Sequence, residues 1–444
     1  MKKKQLRWTL WTIASPFILF IILCILIYLP PIQNFLVDKA AVYASEATGM
    51  NISVGRISLS FPLNLVVTDV DAASPHKDTL LSVRRLQVNV QLLPLLKKQV
   101  EVDGISLQGA TVNSNDLIHG MRLNGTLGEL FISSHGVALD PETAIVNKVL
   151  LKDTDLSLCL NDTAAADTAA SDTTYWKIIL QDIDLQNVSF ALDMPLDSLS
   201  LAASLDNATL RDGLIDLHKS AYSLQTFRIK NGRVRYDSGR PSATASADSL
   251  SAGLDPSHIA LTDIGVKLDS LYYEGRNMKA IISQFVLKER SGVEIVSTEG
   301  RLVSNDKVLR VPSLKLETRD SYLELNAAMD WDALDFKKEG LVSARLMADI
   351  GKPDVVRFMG SMDEKFIRKY PSEPLRIRTG IDGDLNKLKL TTLTAELPGA
   401  LELFAKGELT SLTDSLLRGG DITLQAETKD LKFISTLAEG IEIP

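Results

Sequence analysis

Apolar and polar residues alternate along most of the chain from residue 50 onward. Residues 86–92 read Leu-Gln-Val-Asn-Val-Gln-Leu, and residues 323–325 repeat the alternation as Leu-Glu-Leu. Successive side chains of a β-strand point to opposite faces, so an apolar residue at every second position predicts a strand with one apolar face. The sequence therefore predicts a mainly β protein built on a long antiparallel sheet.

Two local features interrupt this alternation. The parity of the apolar residues changes between Val54 and Ile57, and Gly55 lies at the change, which predicts a β-bulge. Further along, Asn231-Gly232 separates two alternating segments. An Asn-Gly step in that position predicts a two-residue hairpin turn.

A loose repeat relates several of the alternating segments. Each copy has two apolar residues one position apart, a polar step, and a second apolar pair. The copies are Val100–Leu107, Val149–Leu158, Ile179–Phe190 and Phe227–Tyr236. This pattern predicts a series of stacked hairpins.

A stretch without charged residues runs from Trp8 to Leu29. At about 1.5 Å per residue it is roughly 33 Å long as a helix, enough to cross a hydrocarbon core of about 30 Å. It is longer than the apolar part of a signal peptide and no small-residue cleavage site follows, so we expect a retained transmembrane helix. The basic tail at 1–7 predicts a cytoplasmic N-terminus. Trp8, Trp11 and Tyr28 lie near the ends of the span, where anchoring aromatic residues are expected.

Helical patterns elsewhere are short. Apolar residues recur at three- and four-residue steps in 30–49, which predicts an amphipathic helix that ends at Gly49, since glycine is favoured just after a helix C-terminus. The segment Asp354–Lys369 predicts one or two short helices. The polar, low-complexity segment near 161–174 predicts a disordered loop.

Composition narrows the possible functions. The chain has 444 residues and a formal net charge of −8, and because a nucleic-acid-binding surface needs a basic stripe, no nucleic acid partner is expected. Cys24 lies within the predicted span, which leaves Cys159 without a disulfide partner. The five histidines are scattered, and no metal-ligand spacing, phosphate-binding loop or nucleophile elbow occurs. We therefore expect no enzyme activity, cofactor or metal.

The apolar face of so long a sheet must contact something, and helical sequence is too scarce to cover it. Two interpretations remain open. The apolar residues form the core of a conventional β-sandwich or barrel, or they line a groove for a ligand. Aliphatic side chains without fixed polar groups suit acyl chains, which form no directional hydrogen bonds. The candidate groove-lining residues are then Val88, Val90, Leu323 and Leu325.

The order of features also resembles a known family. A basic tail, an apolar span and a short helix precede Met50–Ile57, which reads MNISVGRI; Ser82–Val90 reads SVRRLQVNV and Val100–Leu107 reads VEVDGISL. Together they resemble the AsmA-like superfamily, and within it the N-terminal part of the TamB family (translocation and assembly module subunits). The resemblance is strongest over residues 1–113, and Leu401–Leu409 fits the family's repeats more loosely.

This resemblance implies an inner-membrane protein with a periplasmic, curved, taco-like β-groove at 50–353 and further short helices and β-repeats at 354–444. It implies a role in outer-membrane biogenesis. The leading function that it implies is conduction of membrane phospholipids along the groove. The alternative is that the protein assists assembly or translocation of outer-membrane proteins with a barrel partner of the TamA type. Members of the TamB family are longer and carry a C-terminal domain for that partner, so we expect this chain to be a truncated piece.

Overall fold

The computed structural model describes residues 39, 41–43, 45–46, 48–60, 64–74, 79–91, 102–114, 120–138, 142–161, 175–239, 253–334, 338, 340–359, 364–384, 386–412 and 417–430. The predicted transmembrane helix, with Trp8, Trp11 and Tyr28, lies outside these residues, as does nearly all of the loop predicted near 161–174. Within the described part of the chain, no helix is long and apolar enough to span a membrane.

Strands make up 75% of the described residues, which confirms the mainly β prediction. The described strands are β1 (Asn51–Ser60), β2 (Asn64–Ala73), β3 (Thr79–Val90), β4 (Val102–Asn113), β5 (Met121–Ala138), β6 (Thr143–Leu160), β7 (Lys177–Met194), β8 (Leu199–Asp216), β9 (Ala221–Leu224), β10 (Thr226–Ser238), β11 (His258–Glu274), β12 (Asn277–Glu289), β13 (Glu294–Ser304), β14 (Val308–Thr318), β15 (Tyr322–Asp330), β16 (Val342–Ile350), β17 (Leu375–Gly383), β18 (Lys387–Leu397), β19 (Leu401–Thr410) and β20 (Gly419–Thr428).

The described helices are few and short. The helical prediction for Asp354–Lys369 is confirmed as two helices, α1 (Lys352–Met359) and α2 (Glu364–Lys369), and a 3₁₀ turn covers Trp331–Leu334. The described residues between 39 and 48 are helical. Gly49 follows them with a φ of 69°, and its N–H donates to the carbonyl of Ser45 at 2.9 Å, as at a glycine C-cap.

Two compact units divide the chain. Unit 1 comprises Met1–Ala170 and Asp184–Asp193, and unit 2 comprises Ser171–Ile183 and Met194–Pro444. Strands β1 to β6 belong to unit 1 and β8 to β20 to unit 2, while β7 contributes residues to both.

The strands of unit 1 form a meander. Each strand from β1 to β5 pairs in antiparallel fashion with the next strand in the chain. In β1 the less exposed residues are Ile52, Val54, Ile57 and Leu59, so the side-chain parity changes at Gly55 as the sequence predicts. The pairing with β2 keeps the same register on both sides of Gly55, so the change does not come from an inserted residue.

A line of left-handed residues crosses unit 1 where the parity changes. Asp69, Gly109 and Asp153 have φ values of 54°, 62° and 49°, and they lie on β2, β4 and β6. The backbones approach closely along this line. A Cβ on Gly55 would lie 2.9 Å from the Cβ of Asp69, and one on Gly128 would lie 2.8 Å from the Cβ of Asp153. Aspartate and glycine are among the residues that adopt this conformation most readily, which explains their use here.

The predicted hairpin turn at Asn231-Gly232 is wrong. Strand β10 runs straight through this step, and its pairing with β8 stays in one register from Thr226 to Ser238. Asn231 has a φ of 53°, so it too is a left-handed residue inside a strand. In the three later copies of the sequence repeat, the polar step lies inside one strand and contains a left-handed residue, Asp153, Asn187 or Asn231. In these copies the step therefore marks a change of parity within a strand rather than a reversal of the chain.

Unit 2 is also an antiparallel meander, with one local exception. Strands β9 and β10 lie end to end and both pair with β8 and with β11. From β11 to β20 each strand pairs with the next one. The helices α1 and α2 connect β16 to β17. Among the described residues, the packed cluster of this unit is small: Tyr370, Leu397 and Ala400, with Val355, Leu375 and Leu401 against them.

Candidate functional site

Two aliphatic rows cross unit 1 at right angles to its strands. In each row, the pairing register places one residue of a strand directly opposite one residue of the next strand. The first row is Leu59, Leu65, Val88, Ile105, Ile132 and Val149; the second is Ile57, Val67, Leu86, Leu107, Leu130 and Leu151. The alternation that predicts each strand thus becomes a continuous apolar surface once the strands are in register.

Val88 lies in the first of these rows, between Leu65 of β2 and Ile105 of β4. Val90 is two residues further along β3 and therefore on the same face. A register shift follows Asn89, so that Val90 lies opposite Val102. Both candidate groove-lining residues of unit 1 belong to its apolar face.

This apolar face is not a packed core. Every residue of the two rows is half-buried, whereas the buried apolar residues described in unit 1 are Ala72, Leu80, Val83 and Ala110. In a sandwich or closed barrel the central aliphatic side chains become fully buried against a second layer. The main contacts between described strands of this unit join hydrogen-bonded neighbours. The described side chains of the two rows therefore lack the full burial that a packed second layer gives.

The opposite face of β3 is polar. Arg85 donates from Nη2 to Oε1 of Gln87 at 3.2 Å, and Gln87 donates from Nε2 to Oδ1 of Asn89 at 3.1 Å. These side chains alternate with Leu86, Val88 and the next apolar residue. The strand therefore presents a hydrogen-bonded polar surface on one side and an aliphatic surface on the other.

Unit 2 has corresponding rows. One contains Leu316, Leu323, Ala348, Ile377, Ala395 and Leu403; the other contains Leu314, Leu325, Leu346, Thr379, Leu393 and Ala405. Leu323 and Leu325 are half-buried and occupy neighbouring rows of one face. Both candidate residues of this unit therefore belong to a continuous, mainly aliphatic surface. The fully buried members are small alanines, Ala348 and Ala405.

Ion pairs occupy the opposite face of the same strands. Arg378 lies 2.8 Å from Asp349 between Nη2 and Oδ1, and Arg376 lies 3.5 Å from Glu396 between Nη1 and Oε2. Glu324, between the two candidate leucines, accepts a hydrogen bond from the Tyr322 hydroxyl at 2.9 Å, and that bond is the main cause that raises the tyrosine pKa. Unit 2 thus has the same two-faced character as unit 1.

The candidate site is an extended surface of aliphatic side chains. Within the described strands and turns, no three His, Cys, Asp or Glu side chains are placed to hold a metal ion. Sequence alternation identifies Val88, Val90, Leu323 and Leu325 one strand at a time. It does not identify Leu65, Ile105 or the other neighbours in each row, because the register between strands leaves no local signal in either strand.

Comparisons with known proteins add no identification: neither the scan against family models nor the search of curated proteins found a match.

Proposed function

We propose that the apolar faces of units 1 and 2 hold the acyl chains of membrane phospholipids, and that the protein conducts phospholipid in outer-membrane biogenesis. In this proposal the segment 8–29 anchors the chain in an inner membrane, with its bulk in the periplasm. The observation that carries the proposal is the pair of unbroken aliphatic rows in unit 1, half-exposed on every strand.

The physical argument concerns the exposed apolar area. Each square ångström of apolar surface taken out of water is worth about 25 cal/mol, so a row of half-exposed leucines and valines has a substantial drive to be covered. An acyl chain matches such a row because it needs apolar contact and no hydrogen-bond partners. Contiguous apolar surfaces of this kind usually mark an interaction site.

Photocrosslinking tests this proposal directly. A photoreactive amino acid at Val88 or Leu323 is expected to capture phospholipid in the detergent-purified full chain, as read by mass spectrometry. The matched controls are Gln87 and Glu324, which are the adjacent residues on the polar faces of the same strands. Crosslinks to protein alone, or equal lipid capture at all four positions, would contradict the proposal.

Val88→Asp is expected to lower the amount of co-purified phospholipid by several-fold, since a carboxylate interrupts the aliphatic row and resists desolvation by an acyl chain. Gln87→Asp introduces the same charge on the other face of β3 and is expected to leave lipid content unchanged. Lipid phosphate per mole of protein is the measurement. A Val88→Asp protein with the parental lipid content would count against conduction along this face.

A second function has one specific observation in its favour. Strand β20 is exposed at all ten positions, and β19 is its described partner. Such an edge can pair with an extended segment of another protein, as expected of a scaffold for outer-membrane proteins with a TamA-type barrel partner. A photoreactive residue at Gln425 that traps proteins, with trapping unaffected by Val88→Asp, would favour this alternative.

A further inference from the structure

The turns of unit 2 fall into two sets at opposite ends of its strands. Because the strands form a meander, the connections that follow β8, β11, β13, β15, β17 and β19 lie at the same end. We call this end the first rim and the other end the second rim. Each first-rim turn is two strands from the next, so neighbouring turns are about 10 Å apart along a line.

Exposed tyrosine and leucine side chains concentrate on the first rim. The exposed large apolar residues at or beside its turns are Tyr175, Leu217, Tyr222, Tyr272, Tyr273, Leu334, Leu341 and Leu417. Tyr175 belongs to this end because the Leu217 N–H donates to the carbonyl of Trp176 at 3.1 Å. The described turns of the second rim carry far less apolar surface, with Leu196 and Phe358 as their exposed large apolar residues.

The aromatic residues of the first rim are grouped and partly ordered. The rings of Tyr222 and Tyr273 lie 6.1 Å apart, and the Tyr175 ring meets His218 edge-on at 5.3 Å. Arg276 lies over the Trp331 ring, 5.5 Å from its centre. Trp331 donates from Nε1 to the Asn305 carbonyl at 2.8 Å, so its polar edge is held toward the turn. Tyrosine and tryptophan combine an apolar body with a polar tip, which suits a boundary between water and lipid.

Two properties of the rim favour a lipid surface over a protein partner. The apolar side chains are spread along a line on separate turns, and a fluid bilayer accommodates such a line without matching its shape. The charged residues of the described first-rim turns carry both signs: Lys219, Arg276, Asp306, Lys307, Asp332, Lys338, Asp384 and Arg418. Mixed charge fits zwitterionic headgroups better than the anionic surface that a polybasic segment binds.

We propose that the first rim of unit 2 contacts the surface of a phospholipid bilayer, with its leucine and tyrosine side chains at the level of the headgroups. This contact is separate from the anchor at 8–29 and does not depend on acyl chains occupying the apolar faces. Lipid capture at Val88 and membrane contact at the rim can therefore fail independently.

Site-directed fluorescence on the full chain tests the contact. In a background with Cys24→Ala and Cys159→Ala, an environment-sensitive probe is attached at Leu341→Cys or Leu217→Cys in phosphatidylcholine proteoliposomes. Leu196→Cys is the matched control, because Leu196 and Leu341 are each 64% exposed but lie on opposite rims. The first-rim probes are expected to shift to the blue and to show about twofold or greater quenching by spin-labelled phosphatidylcholine, as for residues at a membrane interface.

Three outcomes would overturn the proposal. One is equal quenching at Leu196 and at the first-rim positions. Another is a blue shift without lipid quenching, which would indicate burial against protein. The third is quenching that requires anionic lipid and disappears at high salt, which would indicate electrostatic attraction instead.

Discussion

Replacing Asp354 by alanine is expected to lower the free energy of unfolding of unit 2 by about 3 kcal/mol, because it removes a buried charge from its hydrogen-bonded partners. Asp354 is only 1% exposed and lies in α1. It accepts hydrogen bonds from the hydroxyls of Thr318 and Ser321, the latter at 2.6 Å, and from Arg357 at 3.0 Å. Among the buried charged side chains in the described part of the chain, Asp354 is the least exposed.

Arg357 extends the effect to neighbouring turns. Its Nη1 lies 2.9 Å from Asp320, and its carbonyl accepts a hydrogen bond from the Leu254 N–H at 2.8 Å. Burial opposes the charged form of Arg357, but its hydrogen bonds to Asp320 and Asp354 outweigh that effect and raise its pKa. In the Asp354→Ala protein Arg357 keeps Asp320, so we expect a loss near the lower end of the range for a broken buried pair.

Chemical denaturation followed by circular dichroism measures this loss, and hydrogen exchange of residues 318–321 locates it. Asp332→Ala is the matched control, because Asp332 is half-exposed and pairs with Lys338 at 3.1 Å. Exposed pairs contribute about 0–1 kcal/mol, so the control is expected to change little. Equal effects of the two substitutions would show that the buried network does not fasten α1 to the sheet.

Prediction from sequence succeeds here where a pattern is local. The strand containing Val88 and Val90 and the helices at Asp354–Lys369 follow from spacing within one segment, since side-chain period reflects which face meets water. The hairpin prediction at Asn231-Gly232 fails for a related reason. An Asn-Gly step signals left-handed backbone, and that conformation serves a parity change inside a strand as well as a hairpin turn.

The candidate site is only partly predictable for a different reason. Val88 belongs to an apolar face whatever its neighbours are, but the row through Leu65 and Ile105 exists only because three strands share one register. A register is a relation between segments, and shifting it by one residue would place polar side chains beside Val88. The line of left-handed residues is hidden in the same way: Gly55 alone reads as a bulge, and its relation to Asp69 appears only in the pairing.

The second large predicted loss of stability concerns Gly128, which lies beside the left-handed residue Asp153. Gly128→Ala is expected to lower the free energy of unfolding of unit 1 by about 2–3 kcal/mol, at the upper end of the cost of overpacking. A Cβ at this position would lie 2.8 Å from the Cβ of Asp153 and 2.9 Å from the carbonyl oxygens of Asp153 and Lys152. Backbone atoms cannot rotate away as a side chain can, so the strands β5 and β6 must separate locally.

Two comparison variants separate the causes of this loss. Gly275→Ala places a Cβ in open space at a φ of 58°, so its cost of about 1–2 kcal/mol comes from left-handed backbone alone. Gly128 has no positive φ, so the loss in Gly128→Ala is assigned to steric contact and is expected to be the larger of the two. Adding Asp153→Gly to Gly128→Ala removes the Cβ contact but leaves the carbonyl contacts, and it deletes the hydrogen bond that Asn187 donates to Asp153 at 2.8 Å. We therefore expect the double variant to recover only part of the stability in chemical denaturation. Full recovery would assign the clash to the Asp153 side chain, and a Gly128→Ala protein as stable as the parent would contradict the close approach of the two strands.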